Sequence, residues 1–299
     1  MSIVRNILFG MLNRPPAVEH IRSIATETAL PKLIHQTFPT KALPQELQAS
    51  VDALRLLNPG WQHVLYDDAE IANFIRIEYG DEMLMQFERI DPIYGAARAD
   101  LFRYLLLYKR GGVYLDIKSA ATRPLDEVLR KGDRFLVAQW PVGADAKFIG
   151  AGRHGEMQHI ARGEFQQWFV VATAGHPFLK AVIENVLRNL SIYNPALHGV
   201  GKPGVLRVTG PIAYTLAIAP ILKNHPHRVV DAEADLSFEY SIYPMVDKGD
   251  HEHVRLFKTH YSQSKVSLVR LTGAKAVFTP PLLFLVNMVR KFWPVASSR

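Results

Sequence analysis

The chain has 299 residues, of which 48% are hydrophobic and 21% charged, an ordinary globular composition that excludes disorder, collagen and a coiled coil as its main state. It contains no cysteine, which excludes disulfide scaffolds, thiolate metal sites and a cysteine nucleophile. Its 35 Lys and Arg residues outnumber its 28 Asp and Glu residues, so nucleic acid, a membrane surface and an anionic small substrate all have to be weighed as partners.

Residues 1–29 are predicted to form an N-terminal extension with an apolar start. Met1–Leu12 is rich in Ile, Leu, Val and Phe but contains Arg5, and it is shorter than the roughly 20 apolar residues that a membrane-spanning helix needs. No small-residue cleavage site follows it, so it does not have the pattern of a signal peptide. The segment favours a helix that lies at a membrane interface.

The first half of the body predicts strands that alternate with helices. Gly111 and Gly112 end one of these helices, and the short buried strand after them delivers Asp116 to the edge of a sheet. In chain order the predicted elements are strand Lys32–Thr37, helix Pro44–Asn58, strand Trp61–Tyr66, a helix capped by Asp67 and Asp68 that ends near Tyr79, helix Asp81–Arg89, helix Ala96–Lys109 and strand Val113–Leu115.

The second half continues the alternation and predicts an α/β fold. A mostly parallel sheet covered by helices on both faces follows from this order, and ligands of such sheets bind beyond the carboxyl ends of the strands, where Asp116 lies. The predicted elements here are strands Arg134–Gln139 and Gln167–Ala172, a helix from His176 and Pro177 to about Ser191, helix Pro211–Lys223, and strands Arg228–Val230 and Ser241–Tyr243.

The basic excess lies at the end of the chain. Eight Lys and Arg residues and no acidic residue stand between His253 and Arg299, which leaves 27 basic and 28 acidic residues in the rest. A nucleic-acid-binding body would spread its charge over one face, so we expect no nucleic-acid partner. Residues 30–260 are predicted to form the main domain, followed by a basic, apolar extension, 261–299.

That extension leaves two interpretations open. Ala276–Val289 is apolar but short and contains Pro280 and Pro281, so it does not predict a membrane span. Leu282–Trp293 combines apolar residues with Arg290 and Lys291, a mixture that suits a helix on an anionic membrane surface. The same pattern also fits a C-terminal helix packed on its own domain.

Four charged residues between Ala96 and Lys118 carry the functional signal. Asp100 and Arg103 are three residues apart on a predicted helix and therefore share a face, which alone would indicate an ordinary surface ion pair. Asp116 and Lys118 follow the buried strand with one residue between them, so in an extended segment both would project to the same side. An acid and a base that emerge together from a buried strand indicate a charged ligand.

Three ordered motifs resemble glycosyltransferase family 32, the group that includes yeast α-1,6-mannosyltransferases and capsular polysaccharide enzymes. The family pattern is an Ala/Ser-Asp-x-x-Arg-Tyr helix followed by Gly-Gly-x-Tyr-x-Asp-x-Asp. The matching stretches here are Ala99–Tyr104 with Gly111–Lys118, Leu30–Phe38 with the sequence LPKLIHQTF, and Asn58–Trp61 with Tyr66, Asp67 and Asp68. Together they cover the chain from about Leu30 to Leu125.

The resemblance implies a GT-A-like nucleotide-diphospho-sugar transferase fold and a role for each matched residue. Phe38 would stack on the nucleotide base, Asp100 and Arg103 would hold sugar and ribose hydroxyls, and Asp116 would face the ribose and a metal-diphosphate unit. The implied donor-binding set is His35, Gln36, Phe38, Asp100, Arg103, Tyr114, Asp116 and His260. The implied catalytic set is Asp116, Arg103 and Lys118, and the implied metal ligands are Asp116 and His260.

Lys118 departs from the family pattern, which usually has a second Asp at this position. A carboxylate there would recruit Mn²⁺ or Mg²⁺ to neutralise the diphosphate, whereas an ammonium cannot bind a cation but can contact a phosphate itself. Three hypotheses follow from this departure. Lys118 partly replaces the charge of the metal, or Asp116 holds the metal with help from elsewhere, or Lys118 points away and metal binding is weak.

Two other motifs have weaker functional readings. Gly199–Gly204 matches Gly-x-Gly-x-x-Gly literally, but it follows no strand and contains Pro203, so it predicts a flexible loop near the site and not a dinucleotide fold. His251, His253 and His260 could form a metal cluster or be solvated loop residues. His260 is the strongest candidate of the three, because the family often places a late His near the diphosphate.

Two functions remain open at this stage. The first is a glycosyltransferase, with retention implied by resemblance, that moves a hexose from a UDP- or GDP-sugar to a glycan, lipid or other hydroxyl acceptor. The second is a catalytically inactive protein of the same fold that binds a membrane or surface through its basic tail. We expect a cytoplasmic protein, peripheral at an anionic membrane.

Overall fold

A computed structural model describes residues 21–141, 151–243, 245–246, 250–251 and 261–271. The predictions for Met1–Leu12, for Ala276–Val289 and for His253 and His260 lie outside these residues.

A four-stranded mixed sheet organises the fold. Its strands are β1 (Leu33–Thr37), β2 (Gln62–Tyr66), β3 (Gly112–Leu115) and a later strand, Phe169–Ala172, in the order β2, β1, β3 and the later strand. The first three run parallel and the last pairs antiparallel with β3. The predicted α/β class and mixed, mostly parallel sheet are therefore confirmed.

Helices separate the first three strands much as the sequence predicts. They are α1 (Gln45–Leu57), α2 (Asp68–Tyr79), α3 (Asp81–Glu88) and α4 (Gly95–Arg110). Asp67 caps α2, since its carboxylate accepts from the backbone N–H of Glu70 while the Glu70 carboxylate accepts from the N–H of Asp67. α4 is buried along most of its length.

The sheet is covered on both faces, as predicted. In β3 the side chains of Val113 and Leu115 pack into one hydrophobic core and that of Tyr114 into the other, which is the alternation of a two-sided strand. One core contains α4 and the helix Pro177–Ile192. The other lies beneath Trp140 and Trp168. Because both faces are covered, the edges of the sheet are where a ligand can approach.

The second half completes the fold with short elements. The helices continue as α5 (Leu125–Val128), α6 (Pro177–Ile192), α7 (Pro195–His198), α8 (Gly201–Val208) and α9 (Pro211–Ile218). The other strands are β4 (Ala120–Ala121), β5 (Leu136–Ala138), β6 (Phe169–Ala172, the fourth strand of the main sheet), β7 (Arg228–Val230), β8 (Phe238–Glu239), β9 (Met245–Val246) and β10 (Asp250–His251).

Three sequence predictions for this half were wrong. The helix predicted over Pro211–Lys223 ends at Ile218 and continues as a 3₁₀ helix, Ala219–Asn224, because Pro220 has no N–H to donate. Ser241–Tyr243 is a bend and not a strand. Gly201–Gly204 is the first turn of α8 and not a loop.

The glycines of that motif permit close packing. A Cβ on Gly201, where φ is +60°, would lie 2.7 Å from the carbonyl oxygen of Ser262, and one on Gly204 would lie 2.8 Å from that of Gly199. These glycines therefore bring α8 against its neighbours.

Described residues beyond both predicted domain boundaries contact the main body. Ile21, in the predicted N-terminal extension, is buried in the core, and the N–H of Glu27 donates to the carbonyl oxygen of Ala174. In the predicted C-terminal extension, Leu268 is fully buried and Val269 forms a β-bridge with Ile90. Residues 21–29 and 261–271 thus belong to the packed body.

Among the described residues, one helical stretch, Gly201–Asn224, is long and apolar enough to cross a membrane by length and composition, and half of it is buried inside the fold. It consists of α8, α9 and the following 3₁₀ helix, with a break at Thr209 and Gly210.

Candidate active site

The carboxyl ends of the three parallel strands meet at one edge of the sheet. β1 ends at Thr37, β2 at Tyr66 and β3 at Leu115, and Asp116 follows β3 directly. The antiparallel strand β6 begins at the same edge, where the N–H of Asp116 donates to the carbonyl oxygen of Trp168 at 2.8 Å. Asp116 therefore lies where the strand order predicts ligands to bind.

Arg103 projects from α4 and lies between two carboxylates. Its Nη2 is 3.0 Å from Asp116 Oδ1 and 3.2 Å from Asp100 Oδ1. The Asp100 and Arg103 side chains are only 3% and 4% exposed, while that of Asp116 is 24% exposed. The helix spacing predicted that Asp100 and Arg103 share a face, and the structure confirms this placement. Asp116 is the member of the trio that a ligand can reach.

Arg103 is held by hydrogen bonds from two guanidinium nitrogens and by ion pairs from the third. Nε donates to the carbonyl oxygen of Ala99, Nη1 donates to the carbonyl and side-chain oxygens of Gln167, and Nη2 faces the two carboxylates. The ring of Tyr114 adds a cation–π contact, with its centroid 4.6 Å from the guanidinium carbon. Arg103 is thus an internal positioning group for Asp116.

Asp100 is also used internally. Its Oδ2 accepts from Thr209 Oγ1 at 2.9 Å, and its Oδ1 accepts from Gln167 Nε2 at 3.1 Å. Burial raises the pKa of Asp100, against the lowering influence of Arg103 and of the hydrogen bonds. Both groups are buried and contact protein partners, and their expected contacts with sugar and ribose hydroxyls stay a prediction.

The electrostatic balance keeps Arg103 charged. Burial alone would lower its pKa, but Asp116, Tyr114 and Asp100 outweigh burial and raise it above its ordinary value. The guanidinium therefore stays positive at every pH at which the protein is folded, and it holds Asp116 by charge as well as by geometry.

Two β1 residues support the edge from inside. His35 is buried, with Nε2 3.0 Å from the carbonyl oxygen of Gly111 and Nδ1 3.3 Å from Tyr66 Oη, and burial lowers its pKa to about 4. Both ring nitrogens thus have partners within the protein, and the expected donor contact of His35 stays a prediction. Thr37 Oγ1 lies 2.9 Å from Tyr114 Oη, which places Tyr114 beneath the site.

Gln36 is the end of a hydrogen-bond chain that begins on α1. Arg55 Nε donates to His63 Nδ1 at 3.2 Å, so the neutral His63 ring carries its proton on Nε2 and donates to Gln36 Oε1 at 2.8 Å. The Gln36 amide nitrogen then faces the carbonyl oxygen of Asp116 at 3.4 Å. Burial, with Arg55 nearby, lowers the His63 pKa to about 4, which keeps this tautomer neutral.

Phe38 and Lys118 stand at the outer rim of the edge. Phe38 follows β1 and is half-buried, with its N–H donating to the carbonyl oxygen of Tyr66. Lys118 lies in a turn and not in an extended segment, since the N–H of Ser119 donates to the carbonyl oxygen of Asp116 at 2.8 Å. The predicted common side of Asp116 and Lys118 was therefore wrong in its geometry, although both lie at this edge.

Several residues that contact the charged side chains at this edge were not predicted from the sequence. Gln167 accepts hydrogen bonds from Arg103 and from Tyr104, and Tyr240 contacts Lys118. Thr209 stands in the segment Val208–Pro211, which the sequence marked only as a helix start. Tyr261 directly follows His260 and is partly buried; burial and the nearby carboxylates of Asp100 and Asp116 raise its pKa, so the chain returns to the site at this point.

The described residues do not fit a divalent metal held in the usual two-carboxylate manner. They contain no group of three His, Asp or Glu side chains that could hold a metal ion. Asp116 shares its Oδ1 with Arg103, and Lys118 occupies the position of the second carboxylate. Such cations favour several oxygen ligands and few positive neighbours. His260, the other predicted ligand, lies outside the described residues.

Comparisons with known proteins identify the region that carries this edge. Residues 44–135 match the family described as "Glycosyltransferase sugar-binding region containing DXD motif". This match covers Asp100, Arg103, Asp116 and Lys118, and it confirms the resemblance that the motifs indicate. It does not include the first motif, Leu30–Phe38.

Curated relatives and a solved structure were also found. Inositol phosphoceramide mannosyltransferase 3 of Schizosaccharomyces pombe is 27% identical over 231 residues, which are 77% of this chain and 55% of the relative. Initiation-specific alpha-1,6-mannosyltransferase of the same yeast is 25% identical over 197 residues, 64% of this chain and 49% of the relative. The chain thus spans about half the length of these relatives. PaToxG glycosyltransferase superposes with a TM-score of 0.44 and 17% identity over 66% of this chain and 71% of that one.

Proposed function

We propose that this chain, which carries the glycosyltransferase sugar-binding region at residues 44–135, is a glycosyltransferase that moves a hexose from a UDP- or GDP-sugar to a hydroxyl acceptor. The observation that carries the proposal is the presentation of Asp116 at the carboxyl edge of the sheet, with its carboxylate in an ion pair with the buried Arg103. A carboxylate anchored in this way can accept hydrogen bonds from donor hydroxyls in one orientation.

The proposed reaction is a displacement at the anomeric carbon of the donor. The acceptor oxygen bonds to that carbon, the bond from carbon to the diphosphate oxygen breaks, and the diphosphate takes the electron pair. The proton of the acceptor hydroxyl leaves to a phosphate oxygen. Positioning and charge stabilisation would supply the catalysis. Retention of the anomeric configuration stays a prediction from resemblance.

Some side chains would contact the donor directly, and others would hold those side chains in place. Asp116 and Phe38 would contact the donor, Asp116 at the sugar or ribose and Phe38 at the base. Arg103, Asp100 and Tyr114 would keep Asp116 in place from beneath. Members of the family typically bind a divalent metal, and Mn²⁺ or Mg²⁺ bound here would neutralise the diphosphate. Because the described residues do not fit such an ion, no step above depends on one.

The names of the relatives narrow the donor and acceptor that we propose. Both relatives named above are mannosyltransferases, and one acts on inositol phosphoceramide by its name. We therefore propose a mannosyl donor and an acceptor that is lipid-linked or part of a glycan. A lipid acceptor would fit the basic segment 261–299, which we propose contacts an anionic membrane surface.

Nucleotide-sugar hydrolysis and transfer test this proposal. Purified protein is incubated with a panel of UDP- and GDP-sugars, with and without simple mannosides and inositol phospholipids in vesicles, and the released nucleoside diphosphate is measured. We expect release above background with one donor, and more with an acceptor. The exposed variant Asp81→Asn, at the start of α3, is the matched control for Asp116→Asn. Release that is equal in wild type and Asp116→Asn would contradict the assignment of the site.

A further inference from the structure

Lys118 is held at the rim by an aromatic cluster. Its ammonium lies 3.0 Å from Tyr240 Oη and 4.1 Å from the centroid of the Tyr240 ring. The rings of Trp140 and Trp168 meet the Tyr240 ring edge-on, with centroids 5.3 and 5.6 Å away. A cation over an aromatic face keeps its full charge while its position is restricted. The cluster therefore presents a positioned ammonium and does not neutralise it.

The chain around Tyr240 is also hydrogen-bonded to the turn that follows Asp116. Ser119 Oγ donates to the carbonyl oxygen of Tyr240 at 2.9 Å, and the N–H of Ile242 donates to the carbonyl oxygen of Lys118 at 2.8 Å. The turn itself is closed by the bond from Ser119 to Asp116. The ammonium and the carboxylate are thus built into one rigid unit at the ligand edge.

Lys118 keeps donor capacity for an anion. An ammonium has three N–H groups, and Tyr240 Oη takes one of them. Within the described part of the chain, the ion pairs join other lysines and arginines to carboxylates and do not include Lys118. A half-buried ammonium with two remaining donors at a strand end fits a phosphate group, which lysine binds as a point charge.

A divalent cation would be poorly held at the same place. Asp116 already faces the Arg103 guanidinium at 3.0 Å, and Asp100 is buried and saturated. An ion there would have one accessible carboxylate from the described residues, and the Arg103 guanidinium already pairs with that carboxylate at 3.0 Å. A positive charge at this separation opposes the binding of a cation.

We propose that Lys118, positioned by Tyr240, binds the diphosphate of the donor in place of a divalent cation, so that this chain binds its nucleoside diphosphate without metal. The inference rests on the proposed function and concerns the charge that the site offers to the leaving group. Arg103 orients Asp116, and the positive charge of Lys118 stabilises the negative diphosphate.

Binding of nucleoside diphosphates by the full chain tests the inference without any need for the acceptor. Calorimetric titrations with UDP and with GDP are run in excess EDTA and again in Mn²⁺, on wild type, Lys118→Met, Lys118→Asp and Lys109→Met. Lys109 is a matched control, since its ammonium also lies over a tyrosine ring, 4.9 Å from the Tyr79 centroid. It stands at the C-terminal end of α4, before β3, whereas Lys118 follows the carboxyl end of β3. Thermal unfolding checks that each variant is folded, which we expect because Lys118 is partly exposed.

The inference predicts that wild type binds its nucleotide with or without metal, and that Lys118→Asp binds it only with metal. For the nucleotide that wild type binds, Kd in EDTA and in Mn²⁺ should agree within about threefold, and Lys118→Met should weaken binding about tenfold or more in both, the loss of a charge-assisted hydrogen bond. Lys118→Asp, which restores the Asp-x-Asp pattern, should bind only with Mn²⁺. Lys109→Met should match wild type.

Two results would overturn the inference while leaving the proposed function in place. One is wild-type binding that is lost in EDTA and restored by Mn²⁺. The other is unchanged binding by folded Lys118→Met. Failure of wild type to bind either nucleotide under both conditions would contradict the proposed function as well, so the two failures are distinguishable.

Discussion

Arg103 Nη2 lies 3.0 Å from Asp116 Oδ1, and the two partners face opposite environments. The side chain of Arg103 is 4% exposed and donates hydrogen bonds to Ala99 and Gln167, whereas that of Asp116 is 24% exposed at the edge of the sheet. The pair therefore joins the interior of the protein to its ligand surface, and its two members should respond differently to mutation.

Asp116→Asn should abolish transfer while the fold survives. The substitution keeps the shape of the side chain and removes the charge from a partly exposed group, so we expect kcat/KM to fall at least about 100-fold, the usual effect of losing one electrostatic contact in an active site. Steady-state kinetics with the active donor measure this change, and thermal unfolding should shift by only a few degrees. Wild-type kinetics in Asp116→Asn would remove this residue from the site.

Arg103→Met should destabilise the protein as a whole. The change leaves the buried carboxylate of Asp100 without its ion-pair partner, and breaking a buried pair in this way costs about 3–5 kcal/mol in the free energy of unfolding. Adding Asp100→Asn should recover part of the loss because it removes the unpaired charge. Urea unfolding of the single and double variants measures both effects. A double variant less stable than Arg103→Met would contradict the positioning role.

His63→Leu should weaken donor use with little effect on stability. The variant breaks the chain from Arg55 to Gln36, so the Gln36 amide loses the bond that orients it toward the carbonyl of Asp116. One hydrogen bond corresponds to a change of about 2- to 10-fold in donor KM. Arg55→Ala, which removes only the first link, should give a smaller change in the same direction. Equal KM values for wild type and His63→Leu would exclude the chain from donor binding.

The protein should lose stability as the pH falls from about 6.5 to about 4, and His176 should account for part of the loss. Burial, assisted by His225 and His227, lowers the His176 pKa to about 4, while the unfolded chain titrates near 6.5. Between these values the unfolded state binds the proton and the folded state does not, so stability falls with pH, by up to about 1.4 kcal/mol per pH unit for one group.

His176→Asn isolates this contribution. Asn can replace the ring nitrogen that accepts from the N–H of Phe178 at the start of α6, so the cap is kept while the titrating group is lost. Urea midpoints between pH 7 and pH 4 should fall less steeply for His176→Asn than for wild type. Parallel pH profiles would contradict a buried neutral His176.

Gly204→Ala should destabilise the fold, although Gly204 lies in a helix where Ala is normally favoured. A Cβ there would lie 2.8 Å from the carbonyl oxygen of Gly199, so the backbone would have to shift at a cost of about 1–3 kcal/mol. Gly95→Ala is the matched control, since nothing lies within 4 Å of its Cβ position at the start of α4. Thermal unfolding compares the two, and equal stability of both variants would contradict the packing role.

The sequence predicted well what depends on local pattern. The bounds of α2 and β2 agree with prediction to within a residue, because the N-cap at Asp67 and the Asn58-Pro59-Gly60 turn before β2 are local signals. The placement of Asp116 at a strand end followed from Gly111 and Gly112, which end α4, and from the apolar residues between Gly112 and Asp116. The common face of Asp100 and Arg103 followed from helix spacing.

The sequence could not predict which polar groups are already satisfied. Gln167 and Thr209 are 64 and more than 100 residues from the α4 groups they bind, and nothing local in their segments marks them as partners. For that reason the sequence did not indicate that Asp100 and Arg103 are buried and already bound to protein partners. The direction of Lys118 was missed because a turn follows β3 where extended chain was expected.

The partners of Arg103 and Asp100 also bear on how such enzymes could be recombined. Gln167 and Thr209 both lie beyond residue 135, outside the matched sugar-binding region. A chimera that received only residues 44–135 would carry the charged trio into a host without these acceptors and donors, and would bury unsatisfied groups. The sugar-binding region is therefore not a transplantable module, and grafts between related enzymes should extend through Thr209.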